Sequence, residues 1–318
     1  MPSKKASEFY AEDIPNLNGY VVIVTGGNSG IGYETTLQLA SHGARVYIAA
    51  RSPERVNKAI AEMKASCKVK LDLYPLDMDL QNLQSVKEGA EAFMRLESRL
   101  DILINNAGIM AVPFKLTTDG FETQWQTNHL APFFLVKILL PLLESTAAAS
   151  TSKSRVRVVN VSSDAALLIA PKTLDLEHSN LEHVTGPMSG WKRYGHSKMA
   201  SLIHARALHN RYYSAGISTY SVQPGIVATN LQAADPSLFG SFVRRTVRWG
   251  IMPGTISVAD GARTTLFCAT SPKAENHSGG FFVPYGKLDK RPDKWNLDEE
   301  LVGRLWTESE RMVREAGF

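Results

Sequence analysis

From Tyr20 onward the chain alternates short β-branched runs with longer stretches whose apolar residues recur at helical spacing. The runs predict strands at Val21–Thr25, Arg45–Ala50, Val69–Leu73, Ile102–Asn105, Val156–Val161, Ser218–Val222 and Gly280–Val283. Helical patterns lie between them, near Ile31–Ser41, Ser52–Met63, Leu83–Leu96, Phe121–Leu143, Tyr194–Tyr213 and Ala259–Cys268. The strands are apolar at nearly every position rather than at alternate ones, as expected of strands covered on both faces. Such an alternation predicts an α/β protein with a doubly wound, mostly parallel sheet flanked by helices on both faces. No internal repeat or low-complexity linker interrupts it, so residues 1–318 are expected to form a single domain.

Two segments break the rhythm. Residues 169–193 hold Pro171, Gly186, Pro187 and Gly190 in a polar stretch between a strand and its helix. Residues 232–257 hold Pro236, Gly240, Gly250, Pro253 and Gly254 among aromatic and basic side chains. Connections this long in a compact domain are usually functional or disordered. Loops at the carboxyl ends of parallel strands line the ligand crevice, so both insertions are expected to cover a substrate. Phe242, Val243, Val247, Trp249 and Ile251, with Arg244, Arg245 and Arg248, fit a mobile lid or a docking surface.

Composition narrows the class. With 35 basic and 31 acidic side chains the net charge is +4, and no basic run interleaved with aromatics points to nucleic acid. Cys67 and Cys268 match no metal or redox spacing and are expected to be free thiols. Met1 to Asn18 is polar, without the apolar core of a signal peptide. Leu130 to Leu143 is interrupted by Lys137 and Pro141 and falls short of the ~20 residues of a membrane span. A cytoplasmic protein with no membrane span is expected. His178 and His183 lie in a polar loop without metal-ligand spacing, so no metal is expected.

The first strand runs straight into Thr25-Gly26-Gly27-Asn28-Ser29-Gly30-Ile31-Gly32 and then a helix. Glycines there permit a tight turn, close approach of backbone to a pyrophosphate, and close helix–strand packing. The helix N-terminus offers N–H groups and a positive dipole end to the phosphates. Gly26, Asn28, Ser29, Gly30 and Ile31 are the candidate contacts of a Rossmann-type dinucleotide site. No lysine stands where a P-loop would need one. After the second strand, position 50 is Ala and position 51 is Arg. An acid there would favour NAD, whereas Arg51 suits the 2′-phosphate of NADP(H). Asp79 and Leu80 are candidates for the adenine side, with Asp77 an equally plausible carboxylate.

Tyr194 and Lys198 are four apart in a helical pattern and so share one face. A neighbouring ammonium is expected to lower the tyrosine from its usual pKa of about 10 and make it a proton donor or acceptor near neutrality. Ser162 and Ser163 end a buried strand, where a hydroxyl could polarise a substrate oxygen. Asn105 to Gly108 ends the fourth strand, and Asn128 lies in the helix beyond it.

Together these motifs resemble the short-chain dehydrogenase/reductase family, over about Gly19 to Tyr285. The match is nearest its retinol-dehydrogenase-like branch, through Asn28-Ser29-Gly30-Ile31-Gly32 with Glu34-Thr35 and Gly43-Ala44-Arg45-Val46-Tyr47, and it extends to fungal members that tailor small metabolites in secondary metabolism. The resemblance implies a tetrad of Asn128, Ser163, Tyr194 and Lys198, with Ser163 preferred over Ser162. It makes Tyr194 the acid/base, Ser163 the polariser and Lys198 both ribose anchor and electrostatic partner, with Asn128 holding a water beside Lys198. Asn106 joins the cofactor contacts, as do Val227 and Thr229 in Pro224-Gly225-Ile226-Val227-Ala228-Thr229, the segment that fixes the nicotinamide carboxamide. The long gap from Ser163 to Tyr194 departs from the compact members, and a membrane anchor of the kind several retinol dehydrogenases carry is not expected.

The expected activity is interconversion of a ketone or aldehyde with an alcohol on a hydrophobic small molecule. The same residues also fit two rivals: a catalytically silent NADP(H) sensor, and redox-neutral or double-bond-reducing chemistry on the same scaffold. A homodimer through the helices near Phe121–Leu143 and Tyr194–Tyr213 is possible, unless those faces are satisfied within one chain.

Overall fold

The computed structural model describes residues 8–151, 155–170, 174–227, 255–292 and 299–318. Its strands in chain order are β1 (Val21–Thr25), β2 (Arg45–Ala50), β3 (Asp72–Asp77), β4 (Ile102–Asn105), β5 (Val156–Val161), β6 (Ile217–Val222), β7 (Ile226–Val227), β8 (Thr255–Ile256), β9 (Phe281–Val283) and β10 (Lys287–Asp289). Eight of them form one sheet in the order β10-β9-β6-β5-β4-β1-β2-β3, while β7 and β8 pair apart from it. Every pairing in the large sheet is parallel except that of β10 on β9. The chain builds outward from β1 to β3, returns to lay β4 beside β1, and then builds the other way. At such a reversal the loops after neighbouring strands part, leaving a crevice at their carboxyl ends.

The helices are α1 (Gly30–Ser41), α2 (Pro53–Ser66), α3 (Leu83–Leu96), α4 (Thr123–Ala148), α5 (Ala165–Leu168), α6 (Ser189–Tyr212), α7 (Val258–Thr270) and α8 (Glu299–Glu315). Successive strand residues serve opposite cores. Val21 and Ile23 pack with Phe93 of α3, Phe133 of α4, Ile203 of α6 and Leu305 of α8. Val22 and Val24 join Leu39 of α1, Ile60 of α2 and Leu266 of α7. This two-sided burial is why the strands read as unbroken apolar runs.

Three boundaries differ from the sequence reading. The third strand is Asp72–Asp77, not Val69–Leu73, and pairs Asp72 with Arg45 through Asp77 with Ala50. As an edge strand it tolerates Pro75, which has no N–H to give a second neighbour. Val69 is exposed outside it. Helix α6 opens at Ser189, one turn and more before Tyr194. Helix α4 passes through Pro141 to Ala148. By length and composition α4 could cross a membrane; here Phe133, Leu135, Leu139 and Leu143 are buried in the core.

Helix α8 has no counterpart in the sequence reading. Its buried stripe of Val302, Leu305, Trp306, Met312 and Val313 covers the outer faces of α4 and α6. Trp306 meets Phe133 edge-on at 5.0 Å and carries the Arg211 guanidinium at 4.3 Å. The apolar faces considered for a homodimer are thus covered from within the chain. Of the expected insertion at 232–257, only its last three residues fall among those described, with Thr255–Ile256 forming β8 against β7.

Candidate active site

At the end of β1 the chain enters the glycine turn with Gly26 at φ +65° and Gly30 at φ +54°, a region that favours glycine. A Cβ on Gly32 would lie 2.4 Å from both the Gly26 carbonyl oxygen and Asn106 Nδ2. Asn106 Nδ2 donates to the Thr25 carbonyl at 2.8 Å, and the Asn106 and Ala107 N–H groups donate to Thr25 Oγ1 at 3.0 Å. Asn106 therefore shapes the turn from below. Ser29 caps α1 without a side-chain hydrogen bond, and no acid occupies the first turn. Those N–H groups and the positive helix end suit an anion. Asn28 lies in the turn itself, and Ile31 in the first turn of α1. These features fit the pyrophosphate of a dinucleotide.

Arg51 follows β2, is exposed, and has no acidic partner among the described residues. Asp77 is the last residue of β3, paired with Ala50. Asp79 lies in the turn beyond, where its Oδ1 accepts from the Gln81 N–H at 2.9 Å. Leu80 beside it is buried. Val227 is buried in β7, and a Cβ on Gly261 of α7 would sit 2.6 Å from a Val227 methyl and 3.4 Å from Ile31. Gly261, which the sequence reading missed, lets α7 press the Val227 segment against α1. Thr229 lies outside the described residues.

Across the switch point, β5 delivers the two serines. Ser162 Oγ donates to the Lys198 carbonyl at 2.7 Å, so this serine fastens α6 to the strand. Ser163 is left facing Tyr194, close enough to hydrogen bond with the phenol. Tyr194 and Lys198 are both almost fully buried in α6, with Lys198 Nζ 5.9 Å from the Tyr194 ring centroid. That ammonium donates to the Val161 carbonyl at 2.7 Å. Asn128 sits in a wide π-type turn of α4, Gln126–Leu130, of the kind often found at functional sites. Its Nδ2 donates to the Ile109 carbonyl and to Ser197 Oγ at 2.9 Å each, and its Oδ1 accepts from the Ile109 N–H at 2.9 Å. A Cβ on Gly108 would lie 3.0 Å from Asn128 Oδ1 and 3.1 Å from Lys198 Nζ. The structure thus brings Asn128, Ser163, Tyr194 and Lys198 together at the carboxyl ends of β4 and β5.

The electrostatics correct one expectation. Burial pushes the Tyr194 phenol above its usual range, and the contact with Ser163 only partly opposes this. Burial also pulls Lys198 down to about 8, and its ammonium donates to the Val161 carbonyl. Desolvation dominates both groups.

Several supporting residues escaped the sequence reading. Gly195 permits the contact of α6 with α5, since a Cβ there would lie 2.8 Å from the Ala165 carbonyl oxygen. Glu122 caps α4 by accepting from the Gln124 and Trp125 N–H groups at 2.9 and 2.8 Å. A glycine inside a helical pattern and an acid just before one were the only local signals. His196, between the tyrosine and lysine, stacks on Trp125 at 4.7 Å, away from the tetrad. A separate cavity of about 180 Å³ between α6 and the β9–β10 hairpin contains none of the four.

The comparisons with known proteins point the same way. The family model for short chain dehydrogenases matches residues 20–173. The short-chain dehydrogenase/reductase drtF of Aspergillus calidoustus is 39% identical over 313 residues, 95% of this chain and 96% of that one. Retinol dehydrogenase 12 of Mus musculus is 35% identical over 319 residues, 94% of this chain and 92% of that one. A crystal structure of an uncharacterized protein from Mycobacterium Paratuberculosis superposes with a TM-score of 0.70 at 30% identity, covering 96% of this chain and 98% of the other. With a Rossmann-type sheet, a glycine turn at its switch point and relatives aligned along nearly its whole length, the chain belongs to the short-chain dehydrogenase/reductase family of oxidoreductases.

Proposed function

We propose that the protein is an NADP(H)-dependent oxidoreductase that interconverts a ketone or aldehyde with an alcohol on a hydrophobic small molecule. The observation that carries this reading is the convergence of Ser163, Tyr194, Lys198 and Asn128 beside the glycine turn. The dinucleotide, when bound, supplies or accepts the hydride. Gly26, Asn28, Ser29, Gly30 and Ile31 would hold its pyrophosphate, with Asp79 and Leu80 toward adenine and Val227 and Thr229 toward the carboxamide. Arg51, with no acid beside it at Ala50, would take the 2′-phosphate and select NADP(H) over NAD(H).

In the reductive direction Tyr194 gives its phenolic proton to the substrate oxygen. Its raised pKa keeps that proton in place at neutral pH. Ser163 donates a hydrogen bond to the same oxygen as charge builds there. Lys198 stabilises the phenolate left behind and anchors the ribose. Asn128 fixes the Ile109 backbone beside Lys198. Large apolar side chains remain exposed on the segments that follow β4, β5 and β6, at Phe114, Leu168, Met188 and Ile226, which favours a hydrophobic substrate. The free thiols Cys67 and Cys268 fit a reducing, cytoplasmic setting.

The test is turnover by purified protein with NADPH or NADH on a panel of ketones, aldehydes and alcohols, beside Tyr194→Phe. NADPH oxidation by the wild type and none by the variant is the expected result. Tight NADPH binding without turnover on any substrate would overturn it.

A further inference from the structure

Glu122 and Arg193 are 1% and 4% exposed, and Arg193 Nε lies 3.8 Å from Glu122 Oε1. Replacing a buried ion pair by apolar residues is often neutral or stabilising, so stability alone is a poor reason to keep one. Their surroundings give a better one. The Glu122 N–H donates to Asn180 Oδ1 at 2.7 Å, and Asn180 Nδ2 donates back to the Gly120 carbonyl at 3.2 Å. Gln124 Nε2 reaches the Gly190 carbonyl at 3.2 Å. Arg193 donates to the Val184 carbonyl at 3.0 Å and to Ser189 Oγ at 3.3 Å. Its guanidinium also lies 5.3 Å from the Phe114 ring centroid. Every one of these contacts either joins residues 109–124 to residues 174–193 or braces one of those segments.

We infer that Glu122 and Arg193 are positioning residues for substrate: a clasp that holds the segments 109–121 and 174–190 together and so sets the width of the cleft over Tyr194. The inference rests on the reading of Tyr194 as the proton donor. Adjacent residues on a helix diverge by ~100°, so α6 turns Tyr194 toward Ser163 while Arg193 reaches back into the wall. The glycine turn lies on β1 and α1 with Asn106 beneath it, none of which the clasp touches. Loosening the clasp therefore moves the outer walls, residues 113–121 and 174–190, more than the tetrad, because Asn128 still holds Ile109. Burial drives Glu122 and Arg193 toward neutrality while each holds the other charged, which makes loss of one partner costly to the other.

The test compares the full chain with Arg193→Met, Arg193→Lys and Glu122→Gln by hydrogen exchange, NADPH titration and steady-state kinetics on one bulky and one compact ketone. In Arg193→Met, exchange in 109–121 and 174–190 should rise about tenfold while that of β1, α1 and β2 holds. The KM for the bulky ketone should rise about tenfold, with kcat within about threefold and the NADPH Kd within about twofold. Arg193→Lys and Glu122→Gln, which keep a charge or a cap, should fall between this variant and the wild type. Unchanged wall exchange would overturn the clasp. Equal losses on both ketones together with weaker NADPH binding would reduce the pair to a folding feature and overturn it as well. A wild-type chain that reduces no carbonyl defeats the reading of Tyr194, whereas the exchange experiment still decides whether the clasp exists.

Discussion

His129 donates its Nε2–H to Ser309 Oγ at 2.9 Å, because the single hydroxyl proton of Ser309 is already given to the Leu305 carbonyl at 2.7 Å. That pattern fixes the imidazole as the neutral Nε2–H tautomer. His129 directly follows Asn128 in the wide turn of α4, so α8 reaches the back of the site through one hydrogen bond. Ser309→Ala leaves a fully buried donor unsatisfied, beside a ring whose Nδ1 already lacks a partner among the described residues. The expected cost is about 1–3 kcal/mol, read as a Tm several degrees lower in thermal unfolding. An unchanged Tm would show that His129 finds another acceptor.

Acid should destabilise the fold through two further histidines. Burial holds His196 down to about 4 and His204 to about 3, in the latter case with Arg211 adding to the effect. Both folded values lie below the unfolded ~6.5, so the unfolded chain binds more protons between them. Their contribution is complete above about pH 6.5 and is lost progressively as pH falls toward about 4 for His196 and about 3 for His204, on the order of a few kcal/mol each. Urea midpoints measured from pH 7.5 to 4 should therefore decline steeply. The slope should be shallower in His204→Gln; an identical slope would remove His204 as a cause.

Arg51→Ala should weaken NADPH binding about tenfold to hundredfold, the worth of a charge-assisted contact, while NADH binding changes little. Fluorescence titration of both dinucleotides reads the difference. Equal weakening of the two would mean that Arg51 does not face the 2′-phosphate.

The pH profile should carry the signature of Lys198. Its ammonium is charged below about 8 in the free protein and neutral above it. Reduction also needs Tyr194 protonated, a condition that its raised pKa satisfies throughout this range. kcat/KM for reduction should therefore fall above about pH 8 from loss of the lysine charge, since that ratio reports free-enzyme groups. Lys198→Met should lower the rate and abolish that inflection. A wild-type profile flat to pH 10 would contradict the assignment.

Much of the sheet was legible because strands buried on both faces advertise themselves as apolar runs. Edge strand β3 was not, since one free edge tolerates Pro75 and an exposed Tyr74 that a central strand would not. The tyrosine and lysine were readable from local spacing, as was the glycine turn. Preferring Ser163 over Ser162 rested on resemblance alone, and the physical distinction emerges only in three dimensions, where Ser162 is committed to the Lys198 carbonyl. The pKa of Tyr194 was misjudged because spacing reveals a neighbouring charge but not the depth of burial. Glu122 and Arg193 meet across a separation that no local pattern records.

The cover that α8 provides also shapes how the chain reaches its native state. His129 and Ser309 are 180 positions apart, and closing so long a loop must precede any gain from the contact. An intermediate with the sheet formed and α8 undocked would leave the apolar backs of α4 and α6 open to solvent. Such surfaces drive aggregation during folding. The helix that shields the backs of α4 and α6 in the finished molecule is thus the joint on which its kinetic solubility turns.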